Sequence, residues 1–578
     1  MDQKPWLIHY QDGVPPTLRP YPQRTLLDVV ADTAKQRPDH TAVIFKGARL
    51  SYRKLERLSD ALAAALADFG VKKGDRVALL LPNCPQLLIG QLGIWKAGGI
   101  ASPMNPLYSE PELEELFRES GAEVALVLTP FYTRARTIQS RTSLRLLIAT
   151  NIKEYLPTPM RFLFTLAKEK KEGHRITLQP GDVWLGDALR KYQGRPRPNI
   201  AVKPDDPAIL LFTGGTTGTP KAAVGVHQGL LMSGMQFQAW FLGIMQPWKD
   251  RIFLSLPLFH VYAQAAVLPT ALVGHHPLVL APNPRDLNDT LDAIHKARPA
   301  FVPGVPTLFN ALLNHPSVKA HKVDLTSVKL CISAAAPLML ETKQQFERLT
   351  GGHIIEGYAL TESMCAAVAT PPRGTYKLGS VGLPLPDVEV RIVDATTGER
   401  ELEAGEMGEI VMRAPQVMRG YWNDPAETAQ AIRNGWLFTG DLGYLDTDSY
   451  LFIVDRKKDL IKCGGFQVWP REVEEVLATH PAVAEVGVAG VSDVYSGEVV
   501  KAWVVLREGM SATGDELRDY CRARLSHYKA PKYVEFREAL PKSMIGKILR
   551  RELVASEDVP APSSAPESLE VAPVEAPA

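Results

Sequence analysis

The feature that most narrows the fold is a switch, repeated through the first two hundred residues, between the hydrophobic period of a helix and that of a buried strand. Ser51 stands where a cap accepts a backbone N–H, and Leu55, Leu58, Leu62, Leu66 and Phe69 then recur on one helical face until Gly70 ends the run. After the turn Lys72-Lys-Gly-Asp75, residues 77–81 are uninterruptedly apolar and close on Pro82-Asn83, as a strand covered on both faces does. A helical stretch over 87–96 ends at Gly98-Gly99, and Gly121-Ala122 leads into another strand over 124–128. Strands alternating with helices in this way predict an α/β fold on a largely parallel sheet.

At 578 residues the chain is too long for one compact core, so at least two domains are expected. Its 65 Lys and Arg balance 64 Asp and Glu, which gives no overall field for gripping nucleic acid. The five cysteines are scattered and form no Cys-x-x-Cys, which fits a reducing compartment better than a disulfide framework or a zinc ribbon. The N-terminus lacks the apolar core of a signal peptide. One run, 252–284, contains no Asp, Glu, Lys or Arg, yet Pro257, Pro269 and Pro277 interrupt it. Its longest clean piece, 261–273, is shorter than the ~20 residues a spanning helix needs, so buried strands and a short helix are expected there.

Between 151 and 197 the character changes. Met160, Leu163, Phe164 and Ala167 fall at i, i+3, i+4 and i+7, followed by Lys168, Lys170 and Lys171. Such a basic amphipathic helix can lie on a membrane surface; the expected arrangement is that its apolar face docks on its own domain. Past Asp441 the pattern turns to hairpins, with strand, turn and strand over 443–454. The charged run Asp455-Arg-Lys-Lys-Asp459 reads as a hinge, and a compact α+β segment follows to about Glu552. Residues 553–578, with five prolines and no Lys or Arg, are expected to form a disordered tail.

The sharpest chemical signal is Thr213-Gly214-Gly215-Thr216-Thr217-Gly218-Thr219-Pro220-Lys221, entered from an apolar strand over 209–212. Glycines admit backbone N–H groups close to a polyphosphate, hydroxyls add donors and the lysine adds charge. Pro220 before Lys221 excludes a Walker A loop, which needs glycine there. Three further segments point the same way. In Glu356-Gly-Tyr-Ala-Leu-Thr-Glu362 a hydroxyl and a carboxylate stand together, suited to a hydrated Mg²⁺. Asp441, after Trp436-Leu-Phe-Thr-Gly, can accept from both hydroxyls of a ribose. Lys547 follows a glycine in Pro541-Lys-Ser-Met-Ile-Gly-Lys-Ile-Leu-Arg-Arg551. Singly, each is more readily a cap, a turn or a solvated basic helix start.

In this order, with Leu79-Leu-Leu-Pro-Asn-Cys-Pro-Gln86, Pro257-Leu-Phe-His260 and Val454-Asp-Arg-Lys-Lys-Asp-Leu-Ile-Lys-Cys-Gly-Gly-Phe-Gln-Val468, the segments resemble those of the acyl-adenylate-forming superfamily. Within it the chain is most similar to bacterial long-chain fatty acid–CoA ligases, and the resemblance covers roughly residues 5–552. It implies a large, multi-subdomain N-terminal adenylation domain (1–455) and a small mobile α+β C-terminal domain (456–552). By the same resemblance, Thr213 to Lys221 wrap the outer phosphates of ATP, and Ala335, Ala336, Glu356, Gly357 and Tyr358 line the adenine site. Thr361 touches the α-phosphate, Glu362 and Thr216 hold Mg²⁺, and Asp441 and Arg456 take the ribose. Lys458 is the hinge, Lys547 bridges substrate carboxylate and α-phosphate, and His260 stands near the carboxylate. Gly464, Gly465 and Phe466 shape a pantetheine channel for CoA. Fatty acid, ATP and CoA are thus the implied partners in a cytoplasmic enzyme, with peripheral contact at the inner membrane face and a homodimer left open.

The chemistry this implies is a carboxylate attacking the α-phosphorus of ATP, then CoA thiolate displacing AMP. Positioned cations and N–H donors should dominate the first step, and domain closure should keep water from the adenylate. The sequence departs from the pattern at Ala359, where Gly is usual before Leu-Thr-Glu, at Ala222, and at Gln264, where one long-chain relative has a gating Trp. His260-Val-Tyr-Ala-Gln264 offers no acid for an amino group, which disfavours amino-acid adenylation. The alternatives are a medium-chain or aryl-CoA ligase, a fatty acyl-AMP ligase serving a carrier protein, and a non-catalytic acyl or nucleotide sensor.

Overall fold

The computed structural model describes residues 4–213, 220–463, 466–493, 497–542 and 548–555, with Lys458, Phe466 and Gln467 described by their main chain alone. The chain divides into two compact units, Met1–Ile453 and Val454–Ala578.

In the first unit, one sheet runs in the order Val183–Trp184, Leu146–Thr150, Val124–Leu128, Arg76–Leu80, Ile100–Pro103, Pro207–Thr213, Lys221–Val226. Every pair is parallel except the last, which is antiparallel. Ser51 accepts the backbone N–H of Lys54 and opens the helix Tyr52–Asp68, whose Leu55, Leu62 and Leu66 are buried as the spacing predicts. The next helix, Pro85–Lys96, is buried along its whole length. Even Lys96 is enclosed, its ammonium held by Glu56 at 2.9 Å and Asp60 at 2.8 Å.

The other sheet of this unit has a parallel centre: Thr41–Phe45, Leu278–Leu280, Ile252–Leu254, Phe301–Gly304, Leu330–Ala334 and His353–Tyr358. It turns antiparallel at Val368–Ala369 and Ser380–Pro384. From there it continues through Leu451–Arg456, Trp436–Leu445, Gly408–Arg413 and Glu389–Val393. The uncharged run forms two buried strands and a short helix, Leu268–Val273, as expected. It also holds an unforeseen π-helical turn, Tyr262–Val267. Pro269 has no N–H to return to residue 265, which favours a widened turn just before it. No helix among the described residues is long and apolar enough to cross a membrane.

One expectation is overturned. The helix Thr158–Ala167 buries none of its residues; of the predicted apolar face, Met160, Leu163 and Ala167 are exposed and only Phe164 is half-buried, so the face as a whole does not dock on its own domain. Its recorded side-chain contacts are the edge of Phe164 against the His174 ring and Thr165 near Lys153.

The second unit is α+β. Its sheet runs Phe466–Val468, Ile461–Cys463, Gly497–Leu506, Val483–Asp493, and Tyr533–Phe536 lies parallel to Gly497–Leu506. Helices Pro470–Ala478 and Gly514–Arg522 cover one face through Val473, Leu477 and Leu517 against Val488, Val500 and Val504. A second cluster joins Ala489, Trp503, Leu540 and Leu553. Leu553 is fully buried in the helix Arg550–Ala555, so the folded chain runs past the expected end at 552; residues 556–578 lie outside those described.

Candidate active site

Thr213 pairs with Lys221 in the antiparallel register that closes the hairpin Pro207–Thr213 and Lys221–Val226. Gly214, Gly215, Thr216, Thr217, Gly218 and Thr219 lie outside the described residues, so the structure fixes the two ends of the predicted phosphate loop, with Pro220 leading into the second strand. Lys221 is more than the end of a loop, because it begins that strand. Its ammonium lies 2.6 Å from Glu427 and 5.6 Å from the ring centre of Tyr421.

Residues 418–422 stitch this hairpin to the Thr361-Glu362 turn. Val224 N–H donates to Gly420 O and Trp422 N–H to Ala222 O, at 2.9 and 2.8 Å. On the other side, Met418 N–H donates to Glu362 O at 2.9 Å, and the Tyr421 hydroxyl donates to Glu362 Oε1 at 2.9 Å. Burial, together with the Glu362 charge, pushes the Tyr421 phenol far above its usual range, so it remains a donor. Gly420 is required here: its φ is +153°, and a Cβ would come within 2.6 Å of Thr428. Glu362 Oε2 makes no hydrogen bond among the described residues, and a carboxylate held on one side only suits a hard cation such as Mg²⁺. The second predicted ligand, Thr216, is outside the described residues.

The turn after Thr361 is tight. Met364 N–H donates to Thr361 O at 3.0 Å, and Met364 and Cys365 have φ of +47° and +56°. Burial pushes the Cys365 thiol up to about 12, and its Sγ donates to Val261 O at 3.5 Å. That contact ties the turn to the segment carrying His260. Asn83 clamps the same segment from the other sheet, donating to Leu254 O and Leu256 O at 3.2 and 2.8 Å while its Oδ1 accepts from Leu258 N–H at 2.9 Å. His260 Nδ1 accepts the Tyr262 N–H at 3.3 Å, which leaves the proton of the neutral ring on Nε2. The Tyr262 hydroxyl pins the loop to Ile332 O at 2.9 Å.

Ala334 pairs with Gly357, and Ser333 with Glu356. Ala335 and Ala336 therefore leave one parallel strand beside Glu356, Gly357 and Tyr358 on the next, at the carboxyl ends where open α/β sheets bind ligands. Ala335 adopts φ +72° at this exit. Glu356 accepts from Leu338 N–H and from the Tyr376 hydroxyl, both at 3.3 Å. The Tyr358 hydroxyl donates to Asp441 Oδ2 at 2.7 Å with both side chains buried, which joins the predicted ribose acid to the predicted adenine strand.

In the second unit, Arg456 N–H donates to Asp455 Oδ1 at 2.7 Å, and Lys458 lies in the short turn Lys457–Asp459. Phe466 opens the strand Phe466–Val468; Gly464, Gly465 and Lys547 lie outside the described residues. The ends of the Lys547 segment are nonetheless fixed. Lys542 and Ile548 form a β-bridge, and Leu549 N–H donates to Pro541 O at 2.9 Å. Arg550, three residues on, reaches Glu474 at 2.7 Å, Asp459 at 2.9 Å and Asp455 at 3.4 Å.

The described predicted residues of the first unit thus fall into three linked groups: Thr213, Pro220 and Lys221 with Thr361 and Glu362; Ala335, Ala336, Glu356, Gly357 and Tyr358 with Asp441; and His260. Sequence reasoning missed Asn83, Tyr421, Glu427 and Arg550. Asn83 and Arg550 sat inside motifs that had already been singled out, whereas Tyr421 and Glu427 carried no local signal.

Two family models match the chain: AMP-binding enzyme over residues 30–422 and AMP-binding enzyme C-terminal domain over 472–547. The Long-chain-fatty-acid–CoA ligase of Bacillus subtilis (strain 168) is 40% identical over 558 residues, covering 96% of this chain and 98% of that protein. The Long-chain-fatty-acid–CoA ligase of Escherichia coli O157:H7 is 37% identical over 556 residues, covering 95% and 98%. Among solved structures, the anthranilate CoA ligase AuaEII in complex with anthranoyl-AMP superposes with a TM-score of 0.79 at 26% identity, covering 92% of this chain and 97% of that one.

Proposed function

The chain belongs to the family of AMP-binding enzymes, and from that premise we propose that it activates a long-chain fatty acid with ATP to acyl-AMP and then to acyl-CoA, releasing pyrophosphate and AMP. The observation that carries this reading is the end-to-end likeness to long-chain-fatty-acid–CoA ligases. The enzyme is a ligase using ATP and CoA as co-substrates, with Mg²⁺ as the metal.

In this reading the hairpin from Thr213 to Lys221 takes the outer phosphates, and the ends of the two parallel strands at Ala335, Ala336 and 356–358 take adenine. Asp441, oriented by Tyr358, accepts from the ribose hydroxyls, and Arg456 donates to them. Thr361 donates to the α-phosphate. Glu362, steadied by Tyr421, and Thr216 would hold Mg²⁺, which supplies charge neutralisation on phosphoryl oxygens. His260, presented by the Asn83 clamp, orients the substrate carboxylate, and Lys547 adds its cation to the carboxylate and α-phosphate in the first half-reaction. Lys458 is the hinge of the small domain over 456–552, and the stretch 464–466 serves the thiol of CoA in the second half-reaction. The partial charges that develop on phosphoryl oxygen make such fixed donors and cations the main source of rate.

AMP release measured with and without CoA, across acids from acetate to oleate with benzoate and coumarate included, tests the reading. It expects CoA-dependent AMP release that is greatest with long-chain acids. A preference for benzoates would favour an aryl-CoA ligase, in line with the likeness to the anthranilate enzyme. AMP-adduct formation indifferent to CoA would favour a fatty acyl-AMP ligase that hands the acyl group to a carrier protein. Within the reading the enzyme is cytoplasmic and meets its apolar acid through peripheral contact with a membrane.

A further inference from the structure

The helix Thr158–Ala167 buries none of its residues, and only Phe164 is half-buried. Met160, Phe162, Leu163 and Leu166 are 42, 65, 62 and 69% exposed. At helical spacing these four, with exposed Ala167, occupy one continuous arc. Phe164 and Thr165, outside that arc, make the helix's contacts with the domain. Phe164 meets the His174 ring edge-on at 5.2 Å, and Thr165 Oγ1 lies 3.5 Å from Lys153 Nζ. Lys153 is committed to Glu169 at 2.5 Å, and Asn151 donates to both Glu169 and His174 O, so this platform is satisfied without the apolar arc. Isolated exposed leucines are ordinary, but four large apolar side chains on one helical face are a surface that calls for a cover.

Charge decides which cover. Arg161, Lys168, Lys170, Lys171 and Arg175 are exposed on or just beyond this helix, against the single exposed acid Glu172, which pairs with Lys168 at 3.5 Å. A second copy docking face to face would set this cation cluster against its own image. A bilayer with anionic headgroups matches both halves at once, with hydrocarbon for the apolar arc and phosphate for the lysines. Ten residues are too few to span, so the helix would lie in the plane of the interface.

We infer that the exposed face of the helix Thr158–Ala167, with the basic segment after it, is a docking surface for an anionic lipid bilayer. The inference rests on the peripheral contact proposed above and assigns it to named side chains.

The test is flotation of the full chain with vesicles of phosphatidylcholine, alone or with phosphatidylglycerol. Three proteins are compared: the parent, a Phe162→Asp/Leu166→Asp variant, and a Lys168→Gln/Lys170→Gln/Lys171→Gln variant. The parent should float with the phosphatidylglycerol vesicles and only weakly with pure phosphatidylcholine. Both variants should lose at least about tenfold in vesicle affinity, the aspartate variant at every salt concentration and the glutamine variant mainly at low salt. Because all these positions point away from the domain, AMP release with octanoate should stay unchanged and report folding. A parent that floats with neither vesicle overturns the membrane reading as a whole. A parent that floats while the aspartate variant floats equally well leaves membrane contact standing and removes this helix from it. A parent that sediments as a dimer, with the aspartate variant monomeric, assigns the face to a second copy and overturns the inference.

Discussion

Lys221 Nζ lies 2.6 Å from Glu427 Oε2, so the cation assigned to the outer phosphates is already shared with a carboxylate of the same unit. ATP must compete for it. Glu427→Gln should therefore lower the KM for ATP about two- to fivefold, the size of a partly exposed ion pair, with little change in kcat. A KM that rises instead, measured under saturating acid and CoA, would mean that Glu427 aims Lys221 rather than restraining it.

Tyr421→Phe removes the donor to Glu362 and leaves the main-chain hydrogen bonds of residues 418–422 in place. A hydrogen bond to a charged acceptor is worth about 1.5–3 kcal/mol, so the Mg²⁺ concentration giving half-maximal adenylation should rise about tenfold or more. Saturating Mg²⁺ should recover most of the rate. A Mg²⁺ titration indistinguishable from the parent's would separate Tyr421 from the metal.

Division of labour between the half-reactions gives a third expectation. Lys547→Ala should slow acyl-AMP formation by about 10² or more and spare thioester formation from supplied acyl-AMP. Gly465→Leu should do the opposite. Equal loss of both half-reactions in folded Lys547→Ala protein, followed by pyrophosphate release and by acyl-CoA formation, would dissolve the two-step assignment.

Arg550 holds Glu474, Asp459 and Asp455 in one place, and the Asp455 side chain is only 2% exposed. Arg550→Met leaves buried acid without its cation, a loss of about 3 kcal/mol that should lower the melting temperature of the small unit. Arg550→Lys, which restores charge without the planar fork, should regain less of the adenylation rate than of the stability, because the Lys547 segment ends at this anchor. Calorimetry beside a pyrophosphate-release assay distinguishes the two effects.

Burial, partly offset by the Asp206 charge, holds the His227 imidazole down at about 4 against an ordinary value of 6.5. The neutral ring is favoured in the folded state, so its contribution is complete above pH 6.5 and is lost as pH falls through 6.5 toward 4. At ~1.4 kcal/mol per unit of pH, the loss approaches about 3 kcal/mol by pH 4. Thermal melts of His227→Gln should fall less steeply than the parent's over that window; parallel curves would exclude this residue from the acid response.

What could be read in advance was whatever a local pattern encodes. The capped helix over 52–68, the buried strand over 124–128 and the hairpin after Asp441 each follow from spacing within a dozen residues. The motifs marked the loop ends, the paired strands and Asp441, because their chemistry sits in consecutive side chains. Tyr421 was out of reach because its meaning depends on Glu362, 59 positions earlier, and on a pairing with strand Lys221–Val226 that no period announces. Asn83 lay in a noticed motif, but its partners at 254, 256 and 258 come from the other sheet. The helix over 158–167 shows the sharpest limit: periodicity reveals that an apolar stripe exists and is silent on which way it faces.

The wide turn at Tyr262–Val267 has a consequence for descent as well as for shape. Such a turn carries one residue more than an ordinary one while the helix after it stays in phase. A lineage could drop or regain a single amino acid there and leave Leu268–Val273 seated as before. Length differences of one between homologues should therefore collect just beyond His260, letting its neighbourhood be retailored without rebuilding the scaffold.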